Sequence, residues 1–407
     1  MDIIYERCCG IDVHKKMIVV CLRTGRKSQI RSFGTYTCDL RELVTWLQSE
    51  GCQMVAMEST GAYWKPLYNV FEMVGLPAMV VNAAHMKALP GRKTDVADAA
   101  WIADLLQHGL LRASYIPNRG QRELRELTRY RKSRMEERAR EINRLQKMLE
   151  GANIKLTSAL TDITGVAAQD MLQLVISGKP LTISDISTCM RTSMKSTPEE
   201  LHRSMDGIVT DLQRELLAEV LRVIQEQTAQ VKRVEQLIEK HMASEYTKAA
   251  KAIDALPGIA QVSAQHIVAE IGIDMSRFPS ANHLCSWAGI CPGNNESAGK
   301  RKSGRPTGGN KTLKSTLVQC AAVAVKNKSS FFHAQYQRLV VRRGKKRAIV
   351  AVAHSMLITI YHVLSGSPFN DLGTDYYNQF NTQKKIDSYL NKLKNLGWSP
   401  SAPQIPA

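Results

Sequence analysis

Cys8-Cys9-Gly10-Ile11-Asp12-Val13-His14-Lys15-Lys16-Met17-Ile18-Val19-Val20-Cys21-Leu22 reads as two short apolar strands around a polar turn, the second from Met17 to Leu22. Working outward, Arg31–Tyr36 gives a third strand and Asp39–Leu47 an amphipathic helix. A fourth strand, Met54–Met57, runs into Glu58. A helix over Tyr63–Val74, a strand at Ala78–Val81 and a helix opening near Thr94 complete the region. Three strands in hairpin spacing, then helix, strand, helix, strand, helix, is the order of a ribonuclease-H-like α/β fold over residues 1–115.

Beyond residue 116 the pattern is helical. Leu124, Leu127, Met135, Ala139, Ile142, Leu145 and Leu149 recur at three- and four-residue steps. So do Leu216, Val220, Val223, Gln227, Val231, Val234 and Ile238. Two such helices form either a helical hairpin within one subunit or a coiled-coil dimer seam, with Arg131 and Gln227 interrupting the stripes. Between them, residues 155–210 are an insertion punctuated by Gly178-Lys179-Pro180 and Ser196-Thr197-Pro198. A mainly helical C-terminal region is expected over 251–370, broken at Leu256-Pro257-Gly258-Ile259, with later helices at Leu313–Val325 and Ala348–Leu364. Residues 371–407 read as a loose tail.

Of 407 residues, 55 are Lys or Arg and 37 are Asp or Glu, a formal net charge of +18, and 44% are hydrophobic. That composition excludes a disordered chain and favours a polyanionic partner. The positives cluster. Ten Lys or Arg stand against five Glu between Arg122 and Lys147; Lys300, Arg301, Lys302, Arg305 and Lys311 form a second group; Arg342, Arg343, Lys345 and Lys346 lead a third. Three runs together point to nucleic acid, with binding that weakens steeply as salt rises. Nine cysteines without a Cys-x-x-Cys pair give neither a zinc spacing nor a disulfide framework, which suits the reducing cytosol. No run of about 18 apolar residues occurs and Met1–Glu6 lacks the form of a signal peptide, so membrane and secreted classes are not expected.

Four acids carry candidate chemistry. Asp12 ends the first strand and Glu58 the fourth, while Asp95 and Asp98 share one face of a helical first turn, where Thr94 can cap. Singly, each reads as a turn former or a helix-start acid; His14, Lys15 and Lys16 read as a solvated turn. Jointly, the four can share a divalent cation, and oxygen ligands without Cys or His suit Mg²⁺ or Mn²⁺. Two such ions can clamp the attacking and leaving oxygens of a phosphodiester. In Pro292–Arg305, a glycine-rich basic loop holds Ser297 and Ser303; glycines admit backbone amides to phosphate, and a serine hydroxyl activated by base or metal can attack it.

Gly10-Ile11-Asp12-Val13-His14-Lys15, Met57-Glu58-Ser59-Thr60-Gly61, Lys93-Thr94-Asp95-Val96-Ala97-Asp98-Ala99, Leu256-Pro257-Gly258-Ile259 and Trp287-Ala288-Gly289 through Glu296-Ser297-Ala298-Gly299 occur in one order. That order resembles the IS-one-ten family of insertion-sequence transposases, over about residues 8–365. The resemblance implies a RuvC-like N-terminal domain whose DEDD quartet is Asp12, Glu58, Asp95 and Asp98, and a C-terminal transposase domain whose nucleophile is Ser297, with Ser303 in reserve. It further implies a covalent phosphoserine intermediate, donor and target DNA, and an element-encoded noncoding guide RNA. The helical middle can supply a subunit boundary, so a homo-oligomer, dimer or tetramer, is expected, in which the serine and the quartet come from one subunit or two. Ala260 stands where a helix-hairpin-helix phosphate binder usually has a second Gly, which leaves a plain helix turn as the alternative there. Two rivals remain from the residues: a metal-dependent junction nuclease using water, and a noncatalytic nucleic-acid scaffold.

Overall fold

The computed structural model describes residues 2–59, 61–81, 95–192, 194–292, 295–297, 300–303, 308–378 and 382–398; the side chains of 95–97, 295–303, 378 and 382–385 are not among those described. The chain forms two compact units, Met1–Pro117 and Asn118–Ala407.

The first unit is built on β1 (Arg7–Val13), β2 (Ile18–Thr24), β3 (Lys27–Phe33), β4 (Met54–Glu58) and β5 (Ala78–Val81) in the order β3-β2-β1-β4-β5. β1 pairs antiparallel with β2 and β2 with β3, whereas β4 lies parallel to β1 and β5 to β4. This mixed sheet is consistent with the nuclease-like α/β reading. Helices α1 (Thr37–Ser49) and α2 (Trp64–Val74) cover one face, burying Leu43, Leu47, Leu67 and Phe71 against Ile11, Val55 and Met57. Helix α3 (Asp95–Gln107) covers the other through Ile102, Leu105 and Leu106 against Cys8, Ala56 and Val81. The third strand lies earlier than the expected Arg31–Tyr36. It is an edge strand, exposed from Lys27 to Ser32, so it carries no apolar alternation; the turn at Gly25, with φ of 55°, sets its register instead.

The second unit opens with α4 (Arg119–Gly151). Short helices α5 (Leu156–Ala159), α6 (Val166–Ser177), α7 (Ile183–Cys189) and α8 (Pro198–Met205) follow, then the long α9 (Asp211–His241). Leu145 and Leu149 share a core with Leu217, Val220, Leu221 and Ile224, while Leu124 packs with Val234 and Ile238. The two long helices therefore run antiparallel within one chain. Their buried faces depart from the expected stripes: Met135 and Leu216 are exposed, while Leu217, Leu221 and Ile224 are buried. The 155–210 segment contributes Met171, Leu172, Ile186 and Leu201 to the core at that end of the hairpin.

At the other end stand α10 (Ser244–Asp254), α11 (Gln261–Ile271) and α12 (Ala281–Trp287). After the two-stranded hairpin of β6 (Asn295–Ser297) and β7 (Lys300–Ser303) come α13 (Lys311–Ala324), α14 (Phe331–Arg343) and α15 (Lys345–Leu364). α15 is long and apolar enough on length and composition to cross a membrane, yet Val352, Ala353, Met356, Leu357 and Ile360 are buried in this unit's core. The expected loose tail is structured in part. A 3-10 turn over Thr374–Asn378 packs on α14, and α16 spans Thr382–Asn395.

Candidate functional site

In the first unit, Asp12 directly follows Ile11 and Glu58 directly follows Met57, which are register partners in the parallel β1–β4 pair. The two carboxylates therefore stand at one level of adjacent strands. Alternation of side chains places both on the face that α3 covers, because Gly10 and Ala56, two residues back, meet that helix. α3 runs antiparallel to β1: the Ile4 amide donates to the Gln107 carbonyl at 2.9 Å, the Cys8 thiol lies 3.6 Å from the Ala103 carbonyl oxygen, and Gly10 faces Ala99 and Ala103. The Asp12 end of β1 thus coincides with the first turn of α3, which carries Asp95 and Asp98.

Gly10 makes this approach possible. A Cβ there would fall 2.3 Å from both the Ala99 oxygen and the Ala103 nitrogen, so no side chain fits between strand and helix. Asp12 is buried and lies 2.9 Å from the His14 Nε2; Glu58 and Asp98 are half-buried, and the side chain of Asp95 lies outside the described residues. Among the described residues no group of three or more His, Cys, Asp or Glu side chains is disposed to hold a metal ion. The donors themselves are hard carboxylate oxygens, one of them buried, which is the chemistry Mg²⁺ or Mn²⁺ requires.

The second unit holds the serine segment. The expected flexible loop is a hairpin in which Ser297 pairs with Lys300, Glu296 with Arg301 and Asn295 with Ser303, with a register shift between Asn295 and Glu296. Ser297 ends β6 next to the turn, and Ser303 lies at the hairpin's other end; Arg305 falls outside the described residues. The chain leaves α12 at Gly289 and returns at Gly309, where a Cβ would fall 2.4 Å from the Gly289 nitrogen. Asn310 closes this base twice. Its side chain accepts from the Leu313 amide, capping α13, and donates to Glu270 Oε2 at 2.5 Å.

Glu270 is fully buried, and Arg129 of α4 donates to both its oxygens at 2.6 and 2.8 Å. Burial raises its pKa, but the hydrogen bonds and charge of Arg129, with Asn310 and Arg125, outweigh that and hold the carboxyl below its ordinary value. Nearby, Arg131 donates to Gln265 at 2.6 Å, and Lys132 reaches the Thr312 carbonyl and the hydroxyls of Ser315 and Thr316. The sequence signal for this network was a charge run that read as a nucleic-acid face. Part of that run is also paired within the chain, because Arg134, Arg140 and Arg144 meet Glu137 or Glu141 on their own helix.

The third basic run is different. Arg342, Arg343, Lys345 and Lys346 are all exposed, and no salt bridge reaches them among the described residues. Lys345 and Lys346 occupy the first turn of α15, whose positive dipole end favours anions. Lys311 is likewise exposed at the start of α13; Lys300, Arg301 and Lys302 lie on β7. The Gly258 turn is a packing device. Its φ is 82°, and a Cβ there would fall 2.4 Å from the Cys320 oxygen and 2.6 Å from the Ala324 nitrogen of α13.

Comparison with known proteins bears on both units. Residues 9–154 match a family model described as a DEDD transposase, and residues 250–337 match one for the transposases of the IS116/IS110/IS902 family. The transposase for insertion sequence element IS1111A of Coxiella burnetii is 21% identical over 88% of this chain and 89% of its own length. The pilin gene-inverting protein of Moraxella lacunata is 24% identical over 89% of this chain and 97% of its own. The fold and these matches define a DNA-recombining transposase. The chain belongs to the IS110 family of insertion-sequence transposases, and its substrate is DNA.

Proposed function

We propose that this transposase exchanges DNA strands through a phosphoserine intermediate formed on Ser297, with Asp12, Glu58, Asp95 and Asp98 holding Mg²⁺ or Mn²⁺. The level placement of Asp12 and Glu58 on adjacent parallel strands, at the end of the domain where α3 begins, carries this reading. When bound, the cation supplies positive charge to the oxygens of the scissile phosphate. The Ser297 hydroxyl attacks phosphorus: an Oγ–P bond forms, one P–O bond to the neighbouring sugar breaks, the hydroxyl proton is lost and the departing sugar oxygen takes one up. A phosphodiester is exchanged for a phosphodiester, so the reverse attack by another strand's hydroxyl rejoins DNA without ATP.

Arg342, Arg343, Lys345 and Lys346, with Lys300, Arg301, Lys302, Arg305 and Lys311, bind phosphate backbone. An element-encoded RNA that pairs with donor and target DNA supplies sequence recognition, a role that rests on the family resemblance and on this basic surface. The active form is a homo-oligomer. Supercoiled DNA incubated with the protein, guide RNA and Mg²⁺, then quenched in denaturant, tests the chemistry. Cleaved strands remain attached to wild-type protein, Ser297→Ala forms no adduct while still binding DNA and RNA, and Asp12→Asn cleaves at least about 100-fold more slowly. Freely migrating nicked DNA from the wild type would establish the water-using nuclease instead.

A further inference from the structure

Two exposed apolar stripes in the second unit lack a partner among the described residues. The first lies at the start of α9, where Leu212 and Leu216, four residues apart, are 65% and 48% exposed and extend a patch begun by Ile208, 85% exposed and two residues before the Thr210 cap. The second belongs to α16, whose apolar side is formed by Ile386, Tyr389, Leu390, Leu393 and, past its end, Trp398. Every described side chain from Ile386 to Trp398 is exposed. This helix nevertheless ends in a complete cap: Gly397 has φ of 83°, the Trp398 amide donates to the Leu393 carbonyl, and the Gly397 amide donates to that of Lys394, both at 3.0 Å. An isolated helix of about 12–15 residues is marginal in water, so a capped amphipathic one needs a surface to hold it.

Charge matches the two stripes. Residues 206–219 hold Asp206, Asp211, Glu215 and Glu219 against Arg214, which lies near Asp211, and Glu219 also pairs with Arg222; residues 382–398 hold four lysines against Asp387. We propose that α16 docks its apolar side on the Ile208–Leu212–Leu216 stripe of a second copy of this chain, with its lysines facing the acids of α9.

The connection to α16 favours exchange between copies. The preceding segment is fastened to α14: the Phe331 amide donates to Asp371 Oδ1 at 2.9 Å, the Phe331 ring stacks on Tyr377 at 5.5 Å, and Arg338 lies over Tyr377 at 4.7 Å. Only residues 378–381 separate this clamp from α16, a reach of about 14 Å. Phe331 packs against the core that also contains Val234 and Ile238 of α9, whereas Leu212 and Leu216 lie about 30 Å further along that helix. In a two-fold pair each copy gives one tail and receives one. The contact is then closed, and it counts every side chain twice, which takes it toward the roughly 1,200–2,000 Å² of stable interfaces.

Amide hydrogen exchange on the full-length protein, read against concentration with light scattering, tests this. Leu393→Asp should speed exchange at 212–219 at least tenfold, and Leu216→Asp should do the same at 386–396; both sites are solvent-exposed in the single chain, so both variants fold. Glu215→Lys should weaken the contact and a mixture with Lys392→Glu restore it. Each substitution changing only its own segment would overturn the proposal. So would protection that persists on dilution to monomer, which means docking within one chain, or protection that arises only with anionic vesicles, which means a membrane surface.

Discussion

His266 shows how much of the C-terminal unit's chemistry is fixed residue by residue. It is buried beside Glu270, its Nε2 4.0 Å from that carboxylate, and neither ring nitrogen has a hydrogen-bond partner among the described residues. Burial outweighs the attraction of Glu270, and Lys132, Arg131 and Arg129 add to it, so the imidazole pKa falls from 6.5 to about 4. Between those values the unfolded chain binds a proton that the folded one does not. Stability is therefore complete above about pH 6.5 and declines as pH falls to 4, by about 3 kcal/mol from this group. Urea unfolding from pH 7 to 4 should show a markedly smaller decline for His266→Leu. Glu270→Ala strands Arg125 and Arg129 without their counterion and should cost about 3–5 kcal/mol in the same assay. Neither group was legible in the sequence as a pair with α4, because Arg129 and Glu270 lie 141 residues apart and only the fold joins them. Asp12 and Glu58, by contrast, announce themselves by sitting at the ends of apolar strands.

At the scale of elements, two glycines set how closely helices approach their neighbours. Gly10 seats α3 on β1, and Gly10→Val should cost about 3 kcal/mol and loosen the helix that carries Asp95 and Asp98; circular dichroism melts and the rate of DNA cleavage read this together. Gly258 seats the α10–α11 turn on α13. Gly258→Ala should lower the unfolding midpoint while leaving the DNA affinity of the folded fraction unchanged, since packing accounts for that glycine. The first unit's element order was readable because buried strands and one-sided helices leave clean periodicities. Its third strand slipped because an exposed edge leaves none. The long helices were legible as helices, but their inward faces were not: buried Gln121, Thr128 and Arg131 replace apolar residues on α4, and adjacent Leu216 and Leu217 offer two stripes, of which packing selects the second.

At the scale of the whole molecule, the net charge of +18 predicts a nucleic-acid partner, and the basic runs differ in how far their side chains are already paired within the chain. Within the Arg122–Lys147 run, five of the ten cations (Arg125, Arg129, Arg134, Arg140 and Arg144) form salt bridges, whereas Arg342, Arg343, Lys345 and Lys346 are exposed and have none among the described residues. Replacing Arg342, Arg343, Lys345 and Lys346 with Ala should weaken duplex binding and reduce the slope of log affinity against log salt by up to about 3–4, at about 0.9 per lost phosphate contact. Replacing Arg140 and Arg144 should change that slope by less than about 1. The serine hairpin and the carboxylates belong to different units and were brought into one functional reading by motif order, which periodicity alone does not supply. The decisive measurement is peptide mass spectrometry of the protein–DNA complex trapped during strand cleavage. The account predicts a nucleotide remnant on the peptide containing Ser297. A remnant on another residue, or cleaved DNA with no protein attached, would contradict it.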